Sequence, residues 1–355
     1  MQALAQQDPV GFLDLYRPPV ILDEIQGAIH LLPYIKERID ADRHRMGQFI
    51  LTGSQNLLMM DKVSETLAGR IAVLRLHTLA RRELAGEPQR PLPWHAPQEM
   101  REMAPDAFAR RVAFCGQLLT GGYPDVASGK VRNRSLWFAS YVQTYLERDI
   151  RGLRHIGDLG QFQLFLKSVA LRNGQLFNMS DVARDLGISV NTVKAWLSVL
   201  EASGLLFILR PYSISGGKRL VKTPKVYFTD SGLLCHLAGI TTAEQLALSP
   251  LGGGVMETAV LMEVVKALSF DGPLPGLYFW RTSNGAEVDI VVEEGHRLIP
   301  VEAKLSGTPK MGMGRGIHAF RADYGERAAS GWVVHTGDFP LPLGNGAVAL
   351  PLTML

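Results

Sequence analysis

Apolar positions recur along this chain with two periods, and the switches between them mark its elements. Leu4 to Tyr16 has apolar residues at helical spacing and predicts one short helix, stopped by Pro18-Pro19 because proline cannot continue a helix. The run Val20-Ile21-Leu22 then ends in Asp23-Glu24 and predicts a buried strand. Ile29, Leu32, Ile35 and Ile39 predict a helix, while Phe49-Ile50-Leu51, ending at Thr52-Gly53-Ser54, and Ile71 to Leu76 predict two more buried strands. Strands alternating with helices imply a parallel sheet.

Prolines at 88, 91, 93, 97 and 105 exclude a helix or central strand there and predict a linker or irregular insertion. Phe108 to Ile150 is helical in pattern, broken at Gly121-Gly122-Tyr123-Pro124, with Trp137, Tyr141, Val142 and Tyr145 on one face that suits a core. Phe162, Phe165, Leu166 and Val169 mark the next helix. Ser180 is the expected cap of Val182 to Leu186, and Gly187 the turn. Val193, Trp196, Leu197 and Leu200 form a third apolar stripe, stopped by Gly204. Strands Leu205 to Leu209 and Val226 to Thr229 enclose an arm with Gly216-Gly217, the order of a winged helix-turn-helix. After Gly252-Gly253-Gly254 come a helix, Val255 to Leu268, a strand, Leu277 to Trp280, and two strands, Glu287 to Val292 and Leu298 to Ala303, turning at Glu294-Gly295. The tail, 311–355, has an α/β pattern.

Composition acts mainly by exclusion. The 355 residues, 46% hydrophobic and 20% charged, allow two or three domains and do not suit a disordered chain. Cys115 and Cys235 alone exclude a disulfide framework or a Cys-rich zinc site, and both are expected to be packing residues in a reducing compartment. No apolar run approaches the ~20 residues of a membrane helix, and no signal-peptide pattern opens the chain. A cytoplasmic location with no membrane partner is expected. The nine histidines show no ligand-spaced pair.

The net charge of +3 is too small to imply nucleic acid, but its distribution is uneven. Ala202 to Thr229 contains no acid and five bases, Arg210, Lys218, Arg219, Lys222 and Lys225, so the predicted wing is a positive arm. Asn191, Thr192, Lys194 and Ser198 lie away from the third stripe, where they could reach base edges or simply face water. DNA is the expected partner, through Asn191, Thr192, Lys194, Lys218, Arg219 and Lys222, with the wing giving affinity and little sequence specificity.

An aliphatic strand that ends in Asp-Glu is what a nucleoside triphosphatase uses to hold magnesium and polarise water. Asp23 would bind magnesium through water and Glu24 would act as general base; two solvated acids at a strand end is the alternative. Thr52 or Ser54 could sense a γ-phosphate, and Leu67-Ala68-Gly69-Arg70 places an arginine before the third strand. Together with PVILDEIQ at 19–26, FILTGSQ at 49–55, GGYPDV at 121–126, YLERDI at 145–150, EVDI at 287–290 and VEAK at 301–304, these residues resemble a known family. It is that of bacterial and archaeal AAA-type ATPases whose carboxyl-terminal half holds a winged helix and a nuclease-like domain.

The resemblance implies a phosphate loop, G-x-x-x-x-G-K-[ST], upstream of the Asp-Glu strand. The only Gly-Lys pairs are Gly129-Lys130 and Gly217-Lys218, neither in that context, and 19 residues precede Val20. An amino-terminally truncated family member is therefore expected, binding ATP and magnesium only where the loop is restored. Arg70 would be either an arginine finger at a homo-oligomer interface or half of an intramolecular salt bridge. The expected organisation is α/β: an incomplete parallel-sheet P-loop ATPase core (1–86), a Pro-rich linker (87–106), a helical connector (107–160), a winged helix (161–230) and an α/β nuclease-like domain (231–355).

Metal-dependent nucleases of the PD-(D/E)XK type set an aspartate and a Glu-x-Lys on adjacent strands, with a further acid from a preceding helix. A turn at Glu294-Gly295 sets residue 289 opposite about residue 300, and the strand period puts Asp289, Glu302 and Lys304 on one face. Asp289 and Glu302 would bind magnesium, Lys304 would orient water, Glu257 is the further acid, and Glu287 is a neighbour. An edge hairpin with an ordinary ion pair is the alternative. At the level of function the corresponding alternative is a non-catalytic DNA-binding or protein-interaction module with both centres decayed.

Overall fold

The computed structural model describes residues 1–53, 63, 65–96, 107–145, 159–212, 222–270 and 272–355. Its amino-terminal part has two helices where one was predicted, α1 (Gln2–Gln7) and α2 (Pro9–Leu15). Pro9 opens a new helix at a position that needs no N–H donor, and the Asp8 carboxylate caps it by accepting from Gly11 N. β1 (Val20–Leu22) and β2 (Phe49–Leu51) pair in parallel, with α3 (Leu32–Ala41) between them in sequence.

Two expectations fail in this part. Residues 71–76 form no strand, and Leu74 and Leu76 are 91% and 99% exposed. Nor are β1 and β2 buried strands, since Ile21 is 65% and Ile50 54% exposed. Phe12, Leu13, Ile25, Leu31, Leu32 and Ile35 make a small core against which Leu22, Phe49 and Leu51 pack, leaving the opposite face uncovered. An unbroken aliphatic run suits a strand covered on both faces, and here the second layer is not supplied by the described residues.

Helices α4 (Arg81–Leu84), α5 (Ala107–Thr120), α6 (Pro124–Ala127) and α7 (Arg134–Tyr145) come next, broken at 121–123 as the glycines predict. The described part of the proline-rich stretch is anchored to the carboxyl-terminal half: Leu92 is buried, the Arg90 guanidinium donates to Leu355 O at 3.3 Å, and Trp94 Nε1 donates to Glu294 Oε1 at 3.3 Å. Trp137 stacks on Tyr141, and Tyr123 meets both rings at tilted angles, all three packed against the core.

Helices α8 (Leu159–Leu171), α9 (Met179–Leu186) and α10 (Val190–Ala202) and the antiparallel hairpin of β3 (Leu206–Pro211) and β4 (Lys225–Phe228) follow in the predicted order. Asn178 rather than Ser180 caps α9, because the Asn178 side chain accepts from Ser180 N. Gly187, at φ +66°, supplies the left-handed turn, and Ser189 caps α10. Val193, Trp196, Leu197 and Leu200 are buried as their spacing requires.

The remaining helices are α11 (Ser231–Leu237), α12 (Ala243–Leu248), α13 (Gly252–Ser269) and α14 (Arg315–Tyr324). The strands are β5 (Gly276–Arg281), β6 (Glu287–Glu294), β7 (Arg297–Lys304), β8 (Gly331–His335), β9 (Leu341–Gly344) and β10 (Ala347–Pro351). Together with β3 and β4 these six make a mixed eight-stranded sheet in the order β4-β3-β5-β6-β7-β8-β10-β9. β3 pairs parallel to β5, Arg210 beside Tyr278, so the β3–β4 hairpin is the edge of the carboxyl-terminal sheet. α13 is apolar nearly all round and lies inside one core that runs from Leu92 to Leu355.

Candidate functional site: an acid and lysine cluster

β6 and β7 pair Ile290 with Val301 and Glu294 with Arg297, so the turn is Gly295-His296, with Gly295 at φ +60°. Continuing this register sets Asp289 opposite Glu302, two residues beyond the expected partner at 300. A two-residue offset keeps each side chain on its own face. The predicted trio does come together: Lys304 Nζ lies 2.8 Å from Glu302 Oε2 and 3.7 Å from Asp289 Oδ2.

Backbone groups hold the two acids in place. Asp289 Oδ2 accepts from Ala303 N at 2.9 Å, and Glu302 Oε1 accepts from Ile317 N, in the first turn of α14, at 3.2 Å. Gly316 permits that approach, since a Cβ there would lie 2.0 Å from Glu287 O and 2.3 Å from Glu302 Oε1.

Glu257 reaches the cluster from α13, as expected, but its partners were not foreseen. Its Oε1 accepts from Lys225 Nζ at 2.8 Å and from the Tyr227 hydroxyl. Lys225 Nζ is also 2.7 Å from Glu287 Oε1 and 5.4 Å from the Phe279 ring centroid, and the residue is 2% exposed. Lys225 was expected on the positive arm; it is interior, and the surface charge of that arm is smaller by one. The available signal was the alternation Lys225-Val226-Tyr227-Phe228, which puts a lysine and a tyrosine on one face of a strand.

Burial lifts the Glu257 carboxyl to about 7, aided by the charge of Asp289 and opposed by that of Lys225. Burial likewise lifts Glu302 to about 7 against the pull of Lys304. For both lysines burial works against the ammonium, but the surrounding carboxylates outweigh it and hold the pKa above the usual lysine value. The Tyr227 phenol is pushed up by its burial and by Glu257. A groove of 580 Å³ opens beside the cluster, lined by Glu287, Glu302, Lys304, Lys310 and Arg315 among others.

Magnesium needs several oxygens converging on one point. Among the described residues no three His, Cys, Asp or Glu side chains are arranged to hold a metal ion. Ammonium groups take Glu302 Oε2 and Glu257 Oε1. The residues therefore do not fit a divalent ion in this conformation.

At the amino-terminal centre Asp23 and Thr52 meet, the Thr52 hydroxyl donating to Asp23 Oδ1. Glu24, in a left-handed backbone conformation at φ +54°, accepts from the Gln26 amide, and both acids line a cleft of 640 Å³. Arg70 forks onto Asp40, Nε to Oδ1 at 2.8 Å and Nη2 to Oδ2 at 3.0 Å, and this hydrogen-bonded pairing lowers the Asp40 carboxyl to about 2. Ser54 lies outside the described residues.

On α10, Asn191 and Lys194 are exposed, while Thr192 is drawn into the cap with its hydroxyl 2.8 Å from Ser189 Oγ. Lys222 and Arg210 are exposed; Lys218 and Arg219 lie outside the described residues.

Residues 2–85 match the AAA domain family. Residues 112–244 and 252–355 match two domains of unknown function, DUF8612 and DUF4143. The amino- and carboxyl-terminal matches support a relation to an AAA-type ATPase family. An uncharacterised protein of Mycobacterium bovis and one of Mycobacterium tuberculosis are each 29% identical to the chain over 346 residues, which cover 97% of it and 70% of each relative. No solved structure matches the chain significantly. Among the described residues no helix is long and apolar enough to cross a membrane.

Proposed function

We propose that this chain is an AAA-type, ATPase-like protein that acts on DNA, with a winged helix over 161–230 as the binding element and a nuclease-like centre at the β6–β7 hairpin. The observation that carries the reading is the meeting of Asp289, Glu302 and Lys304 on one face of adjacent strands, with Glu257 behind them on a preceding helix. In that arrangement Asp289 and Glu302 supply negative charge and Lys304 is placed to orient a water. Asp23 and Glu24 are the corresponding pair of the ATPase-like part, with Thr52 beside Asp23. ATP and magnesium would bind there once a phosphate loop, absent from these 355 residues, is supplied. The Arg70–Asp40 fork favours a structural arginine over a finger reaching a second copy.

A second reading, a binding module without nuclease chemistry, is favoured by the lysines that occupy the carboxylates. Duplex-DNA binding and divalent-metal-dependent nicking, measured with the wild type, Asp289→Asn, Lys304→Ala and Lys194→Ala/Lys222→Ala, separate the readings. The proposal expects salt-sensitive binding weakened by the double substitution, and nicking lost in the first two variants. Salt-insensitive binding refutes DNA recognition by the basic surface, and nicking unchanged in both centre variants refutes the nuclease assignment.

A further inference from the structure

Lys225 bridges two carboxylates from different elements, Glu257 of α13 and Glu287 of β6, at 2.8 and 2.7 Å. That is the bridging position a divalent ion takes in a carboxylate centre, and an ammonium with three donors can fill it. We propose that Lys225 is the resident cation of the acid cluster, contributed by the hairpin of the helix-turn-helix, and that it excludes divalent metal until β4 shifts. Lys225 is nearly inaccessible, its contacts are completed by the Phe279 ring, and no three His, Cys, Asp or Glu side chains among the described residues are grouped to hold a metal ion.

The start of β4 is tied to the loop between α8 and α9. Gly174 N donates to Val226 O at 2.9 Å, and Phe177 N donates to Pro224 O at 2.8 Å, on either side of Lys225. The same loop leads into the helix-turn-helix, so a displacement there moves the backbone that carries the ammonium. Opening of the centre is thereby coupled to whatever engages α9 and α10.

This inference uses the acid cluster of the proposed function but does not depend on DNA being its substrate. Calorimetric titration of the full chain with Mn²⁺, without nucleic acid, tests it on the wild type, Lys225→Met and Lys225→Gln. The amide of Lys225→Gln keeps a hydrogen-bond donor beside the buried carboxylates, so it avoids the bare acids that destabilise the methionine variant. Both variants are expected to bind Mn²⁺ more than about tenfold tighter than the wild type, a modest part of what removing a unit charge a few ångströms away can give. Glu257→Gln or Glu287→Gln added to either variant should abolish the gain. Equal affinity in all chains, or no binding by natively folded variants, overturns the proposal. A chain that gains Mn²⁺ on this schedule yet never nicks DNA refutes the nuclease reading alone.

Discussion

The described residues form two sheets built from similar aliphatic runs, with opposite outcomes. In β1 and β2 the central isoleucines, Ile21 and Ile50, face solvent, whereas Val288, Ile290, Val291, Val292, Ile299 and Val301 of β6 and β7 are fully buried. The difference lies in the neighbours: the large sheet has α13 packed on β7 and α14 packed on β6 and β7, while the small one is covered by a single cluster. A strand's own pattern sets which residues can be buried, and the layers around it decide which are.

The largest effects that can break this contrast come from truncating the two kinds of isoleucine. Ile290→Ala should cost about 2–5 kcal/mol in urea unfolding, as a cavity in a closed core does. Ile21→Ala or Ile50→Ala should stay within about 0.5 kcal/mol. Comparable losses at both places would mean that the small sheet is covered in solution. Gly316→Ala should cost about 1–3 kcal/mol, because its Cβ collides with Glu287 O and Glu302 Oε1 and overpacked sites must shift. Urea unfolding like that of the wild type would show that α14 does not press on the cluster.

A smaller effect concerns pH. Glu257 and Glu302 each titrate near 7 when folded, against an ordinary glutamate value of 4.5. Between these values the folded chain holds protons that the unfolded chain has released, so stability falls as pH rises from about 4.5 to about 7 and then levels off. Thermal unfolding at pH 5 and pH 8 should show the decline for the wild type and a flatter profile for Glu257→Gln/Glu302→Gln. A double variant with an undiminished slope would place the titration elsewhere. The smallest effect is expected at the exposed Arg70–Asp40 pair: Arg70→Ala should lower the melting temperature slightly at low salt and not measurably at high salt.

Local features of the fold were legible because they are periodic. The stripe of α10, the Gly187 turn and the β6–β7 hairpin each follow from spacing between near neighbours in the sequence, and so does the shared face of Asp289, Glu302 and Lys304. The register was misplaced because a turn shifted by one position moves the opposing residue by two, and only the two-residue period preserved the site. What stayed hidden is long-range. The β3–β5 pairing joins segments about 70 positions apart, and nothing in either strand announces the other. Lys225 was counted with the surface bases because a charge in a sequence does not reveal its burial; Glu257 and Glu287, which hold it inside, come from elements further along the chain. Residues 71–76 have the composition of a strand, but no strand forms there.

The central claim is that Glu257 and Glu287 form one cation site whose place is taken by Lys225. Anomalous diffraction from crystals of the Lys225→Gln chain soaked in Mn²⁺ tests it most directly. The account predicts a manganese peak within coordination distance of Glu257 and Glu287, and none there in the wild type. A peak in both chains, or none near these carboxylates in the variant, would contradict it.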